Sequence, residues 1–205
     1  MKKSAQIIIF NRIRKNGKNW VFSQKDFIKD FSRWEIDHSL HFLEKERKIK
    51  RILTGLYYFP EYSEILKEFV APDMRKVADA LARKYDWNIF PEGNTALNYL
   101  GLSTQIPARF IYISSGSPRK YKVNGMTLEF RHRVLTETMI KDKNAMLVVQ
   151  AIKSVGQIHA DTEFVNLLSK RFTYKEWVKI EKITHKVTNW VFEIIRKAKE
   201  SAKNG

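Results

Sequence analysis

Apolar residues in the first sixty positions recur first at helical and then at strand spacing. Residues 4–16 carry Ile9, Phe10 and Ile13 three and four apart and stop at Gly17, which predicts a first helix. A phrase then occurs twice, nine residues apart: Phe22-Ser23-Gln24-Lys25-Asp26-Phe27 and Phe31-Ser32-Arg33-Trp34-Glu35-Ile36. In each copy a serine stands at an N-cap position and an acid at N3 can reach back to it. The apolar residues before the cap and at N4 can staple together. Two helix starts so close leave about two turns for the first helix, which is the short-helix, tight-turn, long-helix order of a helix-turn-helix.

In the longer helix Ile36, Leu40 and Leu43 recur at i, i+4 and i+7 and must face a core. The opposite face then carries Trp34, His38, His41 and Lys45, flanked by Asp37 and Lys48, with Arg33 at the helix start. A stripe of Trp, His and Lys suits a nucleic-acid groove, where such side chains hydrogen-bond base edges and phosphates. Arg33, Trp34, His38, His41 and Lys45 are therefore the expected base-reading set, with Arg33 standing nearest the backbone. The plainer alternative is that Trp34 packs on a neighbouring helix and both histidines are ordinary surface groups. His38 and His41 are three apart with no third ligand near them, so no metal and no cofactor is expected. Next comes a basic run from Lys45 to Ile52, and Thr54-Gly55 divides two short β-prone runs before Pro60, which predicts a hairpin. A hairpin after a recognition helix is a wing, and Arg47, Lys48, Lys50 and Arg51 are expected to hold phosphates beside the groove.

Pro72-Asp73 predicts a helix with proline at N1 and an acid in its first turn, striped by Met74, Val77, Leu81 and Tyr85. Trp87 to Leu102 reads as a short strand, a turn and a small helix ended by Gly101, and residues 109–113 alternate as a strand. Between Arg119 and Val134, Asn124-Gly125 marks a two-residue hairpin turn. That register puts Val123, Met126, Tyr121 and Leu128 on an apolar face and leaves Lys120, Lys122, Thr127, Glu129 and Arg131 on a wet, mainly basic one. Helices are expected at 144–154 and around Phe164, Leu167 and Leu168. Thr173 and Glu176 then cap one helix of about 25 residues. Its stripe is Trp177, Ile180, Ile183, Val187, Trp190, Val191, Ile194 and Ile195, and Lys175, Lys179, Lys182, Lys186, Lys197 and Lys199 lie on its polar face.

Charge narrows the choice of partner. The chain of 205 residues carries a net charge of +16, which points to polyanions, nucleic acid first and an anionic membrane surface second. Residues 1–60 hold 14 Lys and Arg against 6 acids and residues 141–205 hold 13 against 7, while residues 61–140 hold 11 against 9, so the charge sits at the two ends. Hydrophobic residues make up 43% of the chain, enough for one large or two small cores. There is no cysteine, which excludes disulfides and thiol chemistry and fits a reducing compartment. No apolar run approaches a transmembrane length, so a cytoplasmic protein without a membrane partner is expected. There is no phosphate-binding glycine loop, nucleophile elbow or metalloprotease helix motif, and no enzyme is expected. Asp86, Glu92 and Glu129 with Arg131 loosely resemble the acidic cluster of a metal-dependent nuclease, at a spacing that fits no motif. Glu129 itself reads as a solvated strand acid.

The stretch IKRILTGLYYFP at 49–60, directly after a Ser-capped helix, resembles the N-terminal winged helix of the abortive-infection type IV antitoxins, the AbiEi-like transcriptional regulators. The stretches NIFPEGNTALNYLGLSTQIP at 88–107, IYIS at 111–114 and YKVNGMTLEFRHR at 121–133 are similar to the antitoxin domain that follows in that family. The resemblance spans residues 5–135 and does not extend beyond 140. It implies an autorepressor that binds double-stranded operator DNA with inverted repeats and counteracts a nucleotidyltransferase toxin. The expected organisation is α/β (α+β): a winged helix-turn-helix at 1–62, then a mixed α/β domain with a β-hairpin at 63–205 that ends in helices. Two other readings stand beside it, a protein-interaction module that grips an acidic partner and, more remotely, a nuclease. Oligomeric state is left open.

Overall fold

The first copy of the doubled phrase starts only a single 3-10 turn, Gln24–Asp26, in place of the two-turn helix expected there. Its local chemistry still forms. Asp26 accepts from the Ser23 N–H at 2.8 Å, and Phe22 meets Phe27 edge to face with centroids 5.8 Å apart. The second cap follows too soon for the turn to propagate. The computed structural model describes residues 5–105, 107–133, 140 and 142–203. The chain divides into two compact units, residues 1–88 with 122–125, and residues 89–121 with 126–205.

The first unit runs α1 (Ala5–Lys15), β1 (Val21–Ser23), the 3-10 turn, α2 (Arg33–Lys45), β2 (Lys50–Leu53), β3 (Leu56–Tyr58), β4 (Tyr62–Ser63), β5 (Glu68–Phe69) and α3 (Met74–Tyr85). β2 and β3 form the expected hairpin around Thr54-Gly55, and β1 joins it to give an antiparallel sheet in the order β1-β3-β2. Ile9, Ile13, Phe22, Phe27, Ile36, Leu40, Leu43 and Ile49 make one core under that sheet. The stripe read along α2 is thus the buried one, and α1 packs across it. β4 and β5 form a second, two-stranded ribbon pairing Tyr62 with Phe69, which the sequence reading did not anticipate.

α3 differs from its expected start. Asp73 is the N-cap and accepts from the Arg75 N–H at 2.8 Å, so Pro72 stands outside the helix instead of at N1. The boundary also differs. The first domain was expected to end at 62, whereas the first unit extends to Asn88. The physical reason is Arg83, whose Nε donates to Asp26 at 2.8 Å and whose Nη2 donates to the Val21 carbonyl at 2.9 Å, tying α3 to β1 and the 3-10 turn.

The second unit runs β6 (Ile89–Pro91), α4 (Asn94–Tyr99), β7 (Arg109–Ser114), β8 (Arg119–Val123), β9 (Met126–His132), α5 (Lys143–Val155), α6 (Thr162–Ser169), α7 (Tyr174–Thr184) and α8 (Asn189–Lys203). Its sheet has the order β6-β7-β9-β8, with β7 and β9 parallel from Arg109↔Thr127 to Ser114↔His132. Asn124 and Gly125 both take positive φ, 46° and 78°, as a type I′ turn demands. Val134, expected to end this hairpin, lies outside the described residues. α5 is buried from Ala145 to Ile152 and is the central rod of the helical layer.

The single long C-terminal helix is in fact two, α7 and α8, broken at 185–188. The break follows from Thr184, whose hydroxyl donates back to the Ile180 carbonyl at 2.8 Å, and from a β-branched, poorly helical stretch through Val187 and Thr188. The stripe then folds on itself, so Trp177, Ile180, Val191, Ile194 and Ile195 fill one core. Two of the lysines expected to be solvated are held. Lys179 reaches Asp142 at 2.6 Å and Lys199 reaches Glu181 at 3.0 Å. Among the described residues no helix is long and apolar enough to cross a membrane.

Candidate nucleic-acid interface

α2 is positioned from its first residue. Ser32 Oγ accepts from the Glu35 N–H at 3.3 Å, and the Glu35 carboxylate accepts from the Ser32 N–H at 2.9 Å and hydroxyl at 2.7 Å. The Ser32 side-chain and backbone hydrogen bonds hold the Glu35 carboxyl below its ordinary value. With the start fixed and Ile36, Ser39, Leu40 and Leu43 buried, the opposite face must be wet. Trp34, His38, His41 and Lys45 lie exposed on it and Arg33 is exposed at the helix start, as expected.

Trp34 is 72% exposed, too open to be buried against a neighbouring helix. Instead its ring stacks on His38, centroids 5.1 Å apart and planes 8° from parallel. His38 in turn approaches Phe42 at 6.0 Å, and Phe42 is itself exposed. The three rings sit at i, i+4 and i+8 and make a ladder along the helix. Phe42 was missed in the sequence, where it reads as one more apolar residue beside Leu43. Its spacing from Trp34 and His38 was the available signal. Asp37, the acid on this flank, accepts from Gln24 and lies 3.8 Å from Arg33, so its charge is partly spent within the unit.

The four residues expected at phosphates divide into two pairs. Arg47 and Arg51 are exposed. Lys48 is drawn to Glu46 at 2.9 Å and lies over the Phe10 ring at 5.2 Å, while Lys50 lies 3.6 Å over the Phe69 ring. The hairpin turn is also engaged, since Lys84 Nζ donates to the Thr54 carbonyl at 2.8 Å. Open charge on this hairpin therefore rests with Arg51, which stands opposite Tyr57.

Arg47 occupies a costly conformation. Its N–H donates to the Glu44 carbonyl at 2.9 Å and the Lys48 N–H to the Leu43 carbonyl at 3.0 Å, the two bonds of a Schellman end. That motif puts Arg47 at φ 57°, the left-handed region that favours glycine. Arg47→Gly is expected to stabilise the chain by about 1 kcal/mol in urea unfolding while weakening binding to any polyanion. A loss of stability would contradict this account of the cap.

A second polar cluster lies on the sheet of the other unit. Glu129 was expected to be a solvated acid, but it is buried, at 7% exposure. Arg131 Nε meets its carboxylate at 2.9 Å, Arg109 at 3.6 Å and Lys120 at 3.9 Å. Three cations therefore compensate it. Arg131 and Arg133 also reach Glu92, at 3.4 and 2.8 Å. Asp86, the third acid of the loose nuclease pattern, caps α3 in the first unit at φ 58°. Among the described residues no group of three or more His, Cys, Asp or Glu is placed to hold a metal.

The Arg131 hydrogen bond holds the Glu129 carboxyl below its ordinary 4.5, with nearby positive charge adding to it and burial opposing. A carboxyl lowered on folding stabilises above its unfolded pKa and loses that contribution as pH falls through its folded value. The melting temperature is therefore expected to drop as pH falls below 4.5, and Glu129→Gln is expected to flatten that drop. Parallel pH profiles for the two proteins would contradict the role of this cluster.

Residues 8–176 match the model of a family described as a family of unknown function (DUF6088). No curated protein gives a significant match. Among solved structures, the chain is similar to that in "Crystal structure of RV2827C protein from Mycobacterium tuberculosis", with a TM-score of 0.43, 11% identity, and coverage of 98% of this chain and 78% of that one. The family match covers most of the chain, stopping early in α7, and the chain belongs to the DUF6088 family.

Proposed function

We propose that the first unit is a winged helix-turn-helix that binds double-stranded DNA sequence-specifically, with α2 as the recognition helix and β2–β3 as its wing. The observation that carries this reading is the exposed Trp34–His38–Phe42 ladder, flanked by His41 and Lys45, on the outer face of α2. A capped, amphipathic helix whose wet face is aromatic and cationic fits the major groove, where rings contact base edges and thymine methyls. Arg33 at the helix start, with Arg47 and Arg51 beyond its end, supplies charge for phosphates on either side.

In the cell this activity serves cytoplasmic autorepression, and the protein doubles as a type IV antitoxin against a nucleotidyltransferase. That second half rests on the resemblance at 49–60 and 88–133, and it requires a nucleotidyltransferase gene beside this one. Co-expression that leaves such a toxin fully active would remove it. The DNA half is tested by duplex affinity as a function of salt. The logarithm of affinity is expected to fall linearly with the logarithm of salt, and Arg51→Ala is expected to lower the slope by about 0.9. Absence of duplex binding at low salt would overturn the DNA reading and favour a module that grips an acidic protein.

A further inference from the structure

The β4–β5 ribbon is an apolar projection of the first unit that neither the core nor the α2 face uses. Its turn places Ile65 at 93% and Leu66 at 64% exposure, with Tyr62 and Phe69 exposed below them. Two large aliphatic side chains at a tip are unusual on a soluble surface and mark a contact site. The ribbon is also held in shape. Ser63 Oγ accepts from the Leu66 N–H at 3.2 Å within the turn. At the base, the Val70 N–H donates to the Glu61 carbonyl at 2.8 Å, and Asn19 Nδ2 donates to the Glu61 carboxylate at 2.9 Å. Tyr62 and Phe69 meet edge to face at 5.3 Å. A short ribbon anchored in this way presents its tip at little entropic cost on binding.

Its charge selects the partner. Residues 61–69 hold three acids, Glu61, Glu64 and Glu68, against Lys67, whose solvent-exposed and exchangeable pairing with Glu64 is 3.6 Å long, in a chain of net charge +16. An acidic arm is repelled by DNA phosphates and by anionic lipid alike, and two such arms repel each other. A second copy of this chain offers the complement. α1 contains no acid and carries Arg12, Arg14 and Lys15 in its last turn, and its exposed side shows Ile7 and Ile8. Arg12 is taken by Asp30 at 2.6 Å, which leaves Arg14 and Lys15 exposed on the same side of α1, about two turns from the two isoleucines.

We infer that the β4–β5 ribbon is a dimerisation arm whose Ile65–Leu66 tip docks on the Ile7–Ile8 face of α1 in a second copy of this chain, Glu64 pairing with Arg14. Each protomer gives one arm and receives one, so a two-fold axis closes the pair and makes the contact twice.

Sedimentation equilibrium of the intact chain, without DNA, tests this. The protein is expected to be a dimer at micromolar concentration. Ile65→Asp is expected to raise the dissociation constant at least tenfold, with an unchanged circular dichroism spectrum. Glu64→Lys and Arg14→Glu are each expected to weaken the dimer, and the two together to restore it. A monomeric wild-type chain, an unaltered dimer in Ile65→Asp, or a charge swap that fails to restore association would overturn the proposal. The same variant is measured against a short duplex at low salt. Loss of duplex binding with the dimer intact would make the ribbon a DNA wedge and overturn the proposal equally; retained binding with the dimer lost is the expected result.

Discussion

Trp177→Ala is expected to destabilise the second unit by about 3–5 kcal/mol. Trp177 is completely buried, meets Phe172 edge to face at 5.6 Å, and donates its Nε1–H to the Ser169 carbonyl at 2.9 Å. The ring thus joins α7 to the end of α6 by both packing and a hydrogen bond. Its removal leaves a cavity among the helices and an unsatisfied carbonyl, two separate penalties. Trp177→Phe keeps most of the apolar contact but not the donor, so a smaller loss is expected. Urea unfolding followed by circular dichroism measures both. A loss in Trp177→Ala below about 1 kcal/mol would mean that the helical layer does not depend on this side chain.

Trp34→Ala has the opposite profile. Trp34 is exposed at 72% and stacks on His38 of its own helix, so stability is expected to change by no more than about 0.5 kcal/mol. Affinity for the preferred duplex is expected to fall about ten- to a hundredfold, since a centrally placed Trp commonly contributes about 2 kcal/mol or more to an interface. Its loss also frees His38 to swing away from the stacked geometry, so sequence preference is expected to broaden along with the fall in affinity. A Trp34→Ala protein with unchanged affinity and preference would remove α2 from the interface, whatever else in the chain binds DNA.

The contrast between these residues shows which features the sequence made readable. Both tryptophans sit on helices opened by a complete capping box, Ser32 with Glu35 and Thr173 with Glu176, and local capping together with helical periodicity is enough to assign their faces. The α+β class and the type I′ hairpin at Asn124-Gly125 were legible for the same reason, since each rests on a few adjacent residues. Much of what escaped depends on contacts distant in sequence, and the rest on which side chains find a partner. The extension of the first unit to Asn88 is enforced by Arg83 reaching back to Asp26 and Val21. Burial of Glu129 needs Arg109 and Lys120 from two other strands, and alternation along β9 cannot show them. The α7–α8 break turns on the hydroxyl of Thr184 within an otherwise continuous stripe. At the candidate site the outward residues of α2 were legible. The engagement of Lys48 by Glu46 and of Lys50 by Phe69 was not, because a run of basic residues does not say which of them find a partner.

The central claim is that α2 reads DNA sequence. The direct measurement is titration of the intact protein, at fixed near-physiological salt, against a duplex selected by it from a random library and against a scrambled duplex of the same length and composition. The account predicts tighter binding to the selected duplex by about a thousandfold or more, with most of that ratio lost in Trp34→Ala. Equal affinity for the two duplexes would contradict it.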